Sequence, residues 1–138
     1  MLPVPEPVSR VVAQWVQKAD ADFLSALQLL RARDARVAGS ICFHAQQRVE
    51  KYLKARLVLL GVDFAKTHSI KALMALLPSD ATPELTAGKQ SLLTDYAVGS
   101  RYPSDYDGST LFEARNAVRI ARRVRGEIRR ALPRSSLR

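Results

Sequence analysis

Apolar residues recur every three or four positions along most of this chain, and this spacing constrains the fold more than any other feature. Between residues 9 and 30 they fall at Val12, Trp15, Val16, Ala19, Phe23, Ala26, Leu27 and Leu30. The interval matches the 3.6-residue turn of an α-helix that buries one face. No segment alternates with the period of two that marks a half-buried strand, so the sequence predicts an all-α fold.

Later segments repeat this pattern. Between residues 38 and 60 the apolar positions are Ala38, Ile41, Cys42, Ala45, Val49, Tyr52, Leu53, Leu57 and Leu60. The opposite face of this segment carries Gln46, Glu50 and Lys54, so a Glu50–Lys54 pair is expected there. The last segment has a narrow, alanine-rich stripe that predicts close packing: Ala114, Ala117, Val118, Ala121, Val124, Ile128 and Ala131.

Capping residues indicate where the first three helices begin and end. Ser9 has the side chain of an N-cap for the first helix, and Gly61 is the expected C-cap of the second. A short helix, "SIKALMALL", ends before Pro78.

Two further caps define the last helices. Thr82 is the expected N-cap of the fourth, with Pro83 at its first position, and Thr110 with Glu113 forms a capping box for the fifth. We therefore predict an antiparallel up-and-down bundle of four long helices plus one short helix. A helical domain over residues 9–132 would lie between a flexible tail, 1–8, and a frayed tail, 133–138.

Length and composition narrow the class of protein. A chain of 138 residues suits one domain, and its single cysteine, Cys42, excludes an intrachain disulfide. Two histidines and one cysteine cannot build a cysteine-rich zinc cluster, so we expect no metal and no cofactor. The first residues do not resemble a signal peptide, and no apolar run reaches the length of a membrane span. A cytoplasmic protein with no membrane partner is expected.

Positive charge is concentrated at the C-terminal end. The chain carries a formal charge of +9, and residues 110–138 hold nine arginines against two glutamates, which accounts for +7. A basic stripe on one helix is typical of a nucleic-acid binder. The alternative is a solvated face in which arginine simply replaces lysine.

One loop, "RYPSDYDG" (residues 101–108), gathers polar groups. Pro103 disfavours helical conformation at Tyr102, so the preceding helix should end there. Arg101 could neutralise charge on phosphate oxygens, while Tyr106 could stack on a base or donate a proton. The alternative is a structural loop in which Arg101 pairs with an aspartate and the tyrosines pack.

The two histidines have ordinary interpretations. His44 lies one position off the apolar stripe, and Arg48 occupies the i+4 position where a second metal ligand would stand. A capping or interface role is therefore expected for His44. His68 precedes the short helix, where a hydrogen bond to the backbone is expected.

Three stretches resemble the HEPN domain, whose name abbreviates higher eukaryotes and prokaryotes nucleotide-binding. They are "WVQKADADFLSALQLL", "CFHAQQRVEKYLKARLVLLGVDFAKTHSIKALMALL" and "LTDYAVGSRYPSDY". The resemblance implies a five-helix domain that commonly forms a homodimer, with its functional cleft near the dimer interface.

The resemblance also implies an activity, from which this sequence departs. Many HEPN proteins are metal-independent RNases with an arginine, four to six residues, and a histidine. Some members are toxins paired with minimal nucleotidyltransferases. These carry a tyrosine two residues after the histidine, and the partner modifies this tyrosine with AMP. Here Arg101 matches the arginine, Tyr106 stands where histidine is expected, and Gly108 replaces the modified tyrosine. A phenol with a pKa near ~10 is a poor general base at neutral pH.

Three functional hypotheses follow from this resemblance. In the first, the chain is the HEPN subunit of a toxin–antitoxin-like pair with a minimal nucleotidyltransferase, and an Arg-x4-Tyr loop binds RNA or a nucleotide. In the second, it is a non-enzymatic adaptor that docks the nucleotidyltransferase. In the third, it is an active metal-independent RNase in which His44 or a partner group replaces the motif histidine. Arg101 and Tyr106 are the catalytic candidates, and nucleotide or RNA contacts are expected from Arg101, Tyr102, Asp105, Tyr106, His44 and Arg115.

Overall fold

The computed structural model describes residues 3–98 and 109–137, and this part of the chain folds into five α-helices without a β-strand. The helices are α1 (Glu6–Arg31), α2 (Ala38–Leu60), α3 (Ile70–Leu76), α4 (Ala87–Val98) and α5 (Leu111–Arg129). Short 3₁₀ turns occur at Ala35–Val37, Ser79–Ala81 and Arg134–Ser136. The prediction of an all-α bundle with four long helices and one short helix is confirmed. None of the described helices is long and apolar enough to span a bilayer.

Helix α2 lies at the centre of the bundle. Fourteen of its 23 residues are buried, and it contacts α1 most extensively, then α5, α4 and α3. The helices packed against α2 run in both directions. On α1, Asp22 contacts His44 while Asp20 contacts Arg48, so α1 is antiparallel to α2. Contacts of α2 with the far end of α5 show that these two helices run the same way.

Helix α5 packs against α2 through the small residues that its stripe predicted. Ala114, Ala117, Ala121 and Val124 are buried there, whereas Ala131 is exposed beyond the end of the helix. Small side chains on this face leave little between the two backbones. Four arginines of α5 remain exposed on its outer side: Arg115, Arg119, Arg122 and Arg123.

The first helix begins earlier than its predicted cap. Helix α1 starts at Glu6, with Pro7 in its first turn, where the missing N–H of proline leaves no helical hydrogen bond unmade. Ser9 is therefore inside the helix, and its prediction as an N-cap was wrong. Its buried hydroxyl lies 2.7 Å from Ser135 Oγ and 3.3 Å from Ser136 Oγ. This contact packs residues 134–136, which were expected to fray, against α1.

The fourth helix begins later than predicted. The Thr82 hydroxyl donates to the Pro78 carbonyl at 2.7 Å and closes the preceding turn, and it lies too far ahead of Ala87, the first residue of α4, to cap that helix. Thr86 takes that role, because its Oγ1 accepts a hydrogen bond from the Lys89 amide at 3.2 Å. Pro83 is buried ahead of the helix rather than within it.

Two other predicted helix ends, at Thr110 and Gly61, are confirmed, and Ser69 caps α3. Ser69 Oγ accepts from the Ala72 amide at 3.1 Å, and Thr110 Oγ1 accepts from the Glu113 amide at 3.1 Å. Gly61 ends α2 in the left-handed conformation, with φ of 72°. Only glycine adopts this φ without a steric penalty.

We expect Gly61→Ala to lower the free energy of unfolding by about 1 kcal/mol, because the new Cβ is strained at positive φ although no atom lies within 4 Å of its position. Urea denaturation measures the change. Gly126→Ala is the matched control: it lies inside α5 at ordinary φ and should raise the free energy of unfolding by roughly 0.5 kcal/mol. Equal effects of the two variants would contradict the assignment of Gly61 as the C-cap.

Candidate anion-binding site

A single carboxylate on α1 is shared by several groups of α2 and α5. Asp20 accepts a hydrogen bond from Tyr52 Oη at 2.7 Å and from Arg48 Nη2 at 3.2 Å. Arg129 Nη1 lies 3.6 Å and Arg125 Nε 3.7 Å from the same carboxylate. Within the described ranges, no other carboxylate lies within 4 Å of Arg48, Arg125 or Arg129.

Arg48 is the least solvated charge in this group. Only 2% of the residue is exposed, and its guanidinium lies 3.5 Å from the centre of the Phe23 ring. Its Nε and Nη1 are buried, and neither has a hydrogen-bond partner among residues 3–98 and 109–137. Burial lowers the pKa of Arg48, and the neighbouring Tyr52 and Asp20 oppose that shift. An arginine still remains charged at neutral pH, so a cation with unused donors lies inside the bundle.

Tyr52 connects the carboxylate to α5. Its hydroxyl donates to Asp20 and accepts from Arg129 Nη1 at 3.3 Å. Burial raises the pKa of Tyr52, so the phenol stays protonated and can serve as this donor.

These side chains border an open groove between α1, α2 and α5. The Arg48 groove has a volume of about 400 Å³ and is lined by Asp20, Phe23, Leu24, Arg48, Arg122 and Arg125. Arg122 places its guanidinium 5.4 Å from the Phe23 ring centre, and Leu24 is 59% exposed. The groove thus combines an apolar wall with several guanidinium groups. That combination suits an anion with an apolar or aromatic part.

His44 pairs with a different aspartate. Its Nδ1 lies 2.9 Å from Asp22 Oδ1, and Lys51 Nζ also contacts the Asp22 carboxylate. The ring of Phe43 packs edge-on against the imidazole, with 5.6 Å between ring centres. His44 is therefore held between α1 and α2 and is not among the residues that line the Arg48 groove.

A buried polar network lies on a further face of α2. Glu50 and Lys54 form the predicted pair at 3.1 Å, but both are buried rather than solvated. The loop before α3 and helix α1 cover this pair. They bring the ring centres of Phe64 and Trp15, respectively, within 6 Å of the Lys54 ammonium. His68 Nδ1 lies 2.8 Å from Glu50 Oε1, so its side chain pairs with a carboxylate and not with the backbone.

Four of the predicted site residues lie outside the described residues: Arg101, Tyr102, Asp105 and Tyr106. Tyr96 precedes that segment and Glu113 follows it, and Tyr96 Oη donates a hydrogen bond to Glu113 Oε2 at 3.4 Å. Burial, with Cys42 and Glu113 nearby, raises the pKa of Tyr96. Arg115 is exposed one turn into α5, roughly 10 Å along the helix axis from Arg122.

The apolar pattern and the motifs did not predict the Arg48 groove, although the position of Arg48 in the sequence indicates it. Arg48 lies on the same face of α2 as Ile41, Ala45 and Tyr52, at the spacing of core positions. A charged residue at a core position needs a partner or a ligand, since burying an unpaired charge is costly. "ADADF" in α1 supplies that partner, but its pairing with α2 depends on how the helices pack.

The described residues contain no group of three histidine, cysteine, aspartate or glutamate side chains arranged to hold a metal ion. The HEPN domain family model matches residues 12–131. The chain belongs to the HEPN family. This confirms the family that the three sequence stretches indicated.

A solved structure supports the same fold for this HEPN chain. The crystal structure of TT1696 from Thermus thermophilus is similar with a TM-score of 0.72 and 26% sequence identity. The alignment covers 88% of this chain and 98% of TT1696. No curated protein matches this chain.

We expect Arg48→Met to leave the free energy of unfolding unchanged or to raise it by about 1 kcal/mol in chloride buffer without phosphate or sulfate. A buried, incompletely paired charge is replaced by an apolar side chain, and Asp20 keeps Tyr52, Arg125 and Arg129. Urea denaturation measures this.

The matched variant Asp20→Asn keeps the side-chain shape but removes the carboxylate, and should cost about 1–2 kcal/mol. In the double-mutant cycle, Arg48→Met should be more favourable in the Asp20→Asn background than in the native chain. A loss above about 2 kcal/mol for Arg48→Met alone would contradict the view that Arg48 is incompletely paired.

Proposed function

We propose that this HEPN protein binds RNA through the α5 basic surface, together with the Arg101–Gly108 segment that precedes α5. The α5 basic surface comprises four exposed residues: Arg115, Arg119, Arg123 and Arg130. We further propose that the chain forms a homodimer, and that it is the HEPN subunit of a toxin–antitoxin-like pair with a minimal nucleotidyltransferase. The homodimer and this partner rest on the family.

The distribution of charge on α5 carries the RNA-binding proposal. At 100° per residue, all seven arginines between positions 115 and 130 fall within about 160° of the helix circumference. The other side of α5 is the buried face of alanine, valine and isoleucine. The two acidic residues of α5 neutralise this surface only in part. Glu113 lies near Tyr96 at the helix start, whereas Glu127 accepts a hydrogen bond from the Glu84 amide at 2.9 Å and lies 4.0 Å from Arg123 Nε.

The length of this surface favours a polynucleotide over a mononucleotide. From Arg115 to Arg130 it extends roughly 22 Å along the helix axis. Successive guanidiniums can contact successive phosphates, and each contact releases counterions. Arg101 would add one phosphate contact, and Tyr106 could stack on an unpaired base.

Binding without cleavage is the expected behaviour, because Tyr106 stands where the family has a histidine. One observation favours cleavage as a second candidate function. His44 is held by Asp22, in the way that a carboxylate orients the imidazole of a general base. The adaptor hypothesis is the remaining alternative: in that case α5 meets an acidic protein surface.

Removing two charges from the α5 basic surface should weaken RNA binding. We expect Arg115→Gln with Arg119→Gln to lower the affinity for single-stranded RNA roughly 10- to 30-fold at 0.1 M salt and to reduce the salt slope by about 1.4, as two lost phosphate contacts predict. Fluorescence anisotropy over a salt series measures both. The matched control, Lys66→Gln with Lys71→Gln, removes two exposed charges near α3 and should change affinity less than threefold. Equal losses in the two variants would point to net charge alone and contradict a defined RNA surface.

A second RNA experiment separates the three hypotheses. We expect Arg101→Ala to lower RNA affinity about fivefold, as one lost phosphate contact predicts, and we expect no cleavage of the RNA with EDTA present. Gel analysis of labelled RNA after incubation with native chain, Arg101→Ala and His44→Gln measures this. Cleavage that both variants abolish would establish the RNase instead. Unchanged RNA affinity in Arg101→Ala, with a stable complex between the chain and a nucleotidyltransferase, would establish the adaptor.

A further inference from the structure

The guanidinium cluster at the Arg48 groove is not neutralised by the protein. Arg48, Arg122 and Arg125 line the groove, and Arg129 lies beside it. In the described part of the chain, Asp20 is the one carboxylate that pairs with Arg48, Arg125 and Arg129. The four arginines and Asp20 together have a formal charge of +3, of which the residues that line the groove contribute +2. The cluster lies between three helices rather than on a free helix face, so its charges are screened less by solvent than those of the α5 basic surface.

Unused donors accompany this charge. Arg48 Nε and Nη1 and Arg125 Nε are buried without a hydrogen-bond partner in residues 3–98 and 109–137. Buried N–H groups without partners cost free energy, and natural structures contain few of them. An anion in the groove would offset the excess positive charge that accompanies these buried donors. Arg122 and Arg125 would present the accessible donors at its sides, and Arg48 would supply charge at its base.

From this cluster we propose that the Arg48 groove is a second anion site, separate from the α5 basic surface, and that it binds a terminal phosphate. A phosphate monoester carries nearly two negative charges at neutral pH, whereas a phosphodiester carries one. The charge of +2 on the residues that line the groove, with Arg129 beside them, therefore favours the monoester. Planar guanidiniums also bind phosphate oxygens in pairs, as a fork.

The apolar wall of the groove indicates what the phosphate is attached to. The Phe23 ring and the exposed Leu24 lie beside the arginines, so a flat group next to the phosphate can pack on them. Two sources share this chemistry: a small phosphorylated aromatic molecule such as a nucleoside monophosphate, and the 5′-phosphate of an RNA. In the second case the groove would orient RNA on the proposed α5 surface, and that part alone rests on the proposed function.

Isothermal titration calorimetry with phenyl phosphate, inorganic phosphate and sulfate at constant ionic strength tests the site. We expect phenyl phosphate to bind the native chain at least tenfold more tightly than either inorganic ion. Arg48→Met and Arg125→Gln should each weaken phenyl phosphate binding at least tenfold. Arg115→Gln with Arg119→Gln should change it less than twofold. Urea denaturation of each variant verifies that it is folded.

Two further ligands distinguish the sources. Uridine 5′-monophosphate, compared with uridine, tests the small molecule. One RNA oligonucleotide with a 5′-phosphate or a 5′-hydroxyl tests the RNA end. Tighter binding of the phosphorylated form of either ligand, if it is lost in Arg48→Met, supports the site. The ligand that shows this preference identifies the source of the phosphate.

Phenyl phosphate binding no tighter than sulfate, or equal in native chain and Arg48→Met, overturns the site. Failure of the proposed RNA function is a separate result. In that case Arg115→Gln with Arg119→Gln would leave the RNA affinity unchanged, whether or not phenyl phosphate binds to the groove.

Discussion

The burial of α2 over most of its circumference is the constraint on which the rest of this structure depends. A helix with one buried face can leave its polar residues in water, but α2 is covered by α1, α3, α4, α5 and the loop before α3. Five of its buried residues are amide or charged side chains: Gln46, Gln47, Arg48, Glu50 and Lys54. Each needs a partner, because burying an unpaired polar group costs several kcal/mol, on the order of 2–7. Gln47 and Lys54 find theirs within α2, whereas Arg48 bonds to Asp20 of α1, and Gln46 and Glu50 also bond to His68 in the loop before α3. Hydrogen bonds thus add to apolar packing in placing the neighbours of α2.

Two aspartates of α1 meet this requirement in different ways. Asp22 faces His44 and Lys51, whereas Asp20 serves Tyr52 of α2 and the arginines of α2 and α5. Sharing one carboxylate among three guanidiniums leaves donors unused and positive charge in excess. The same shortage of acidic groups marks the outer side of α5. The HEPN fold of this chain therefore carries two positively charged features, one in a groove between helices and one on an outer helix face.

The separation of these two features has a physical basis in α5 itself. Its alanine-rich face packs against α2 and turns one half of the helix toward the interior, so arginines at the edge of that face, such as Arg125 and Arg129, reach Asp20. Arginines on the outer side remain in solvent. A long, solvated row of charges suits a long polyanion, while a cluster in a groove beside an aromatic ring suits a compact one. One helix thereby serves both proposed sites.

Local patterns determined much of this protein without reference to tertiary contacts. Apolar periodicity gave the five helices, Gly61 and Thr110 marked two helix ends, and the sequence alone indicated the HEPN family. The errors occurred where two local solutions compete: Ser9 could cap a helix or sit inside it, and contact with Ser135 and Ser136 favoured the second. Likewise, the sequence pattern of Gln46, Glu50 and Lys54 is that of a solvent-exposed helix face. Nothing in the neighbouring residues indicates that a loop covers this face. The Arg48 groove depends on side chains from three helices distant in sequence, so only their packing could bring one carboxylate and four arginines together.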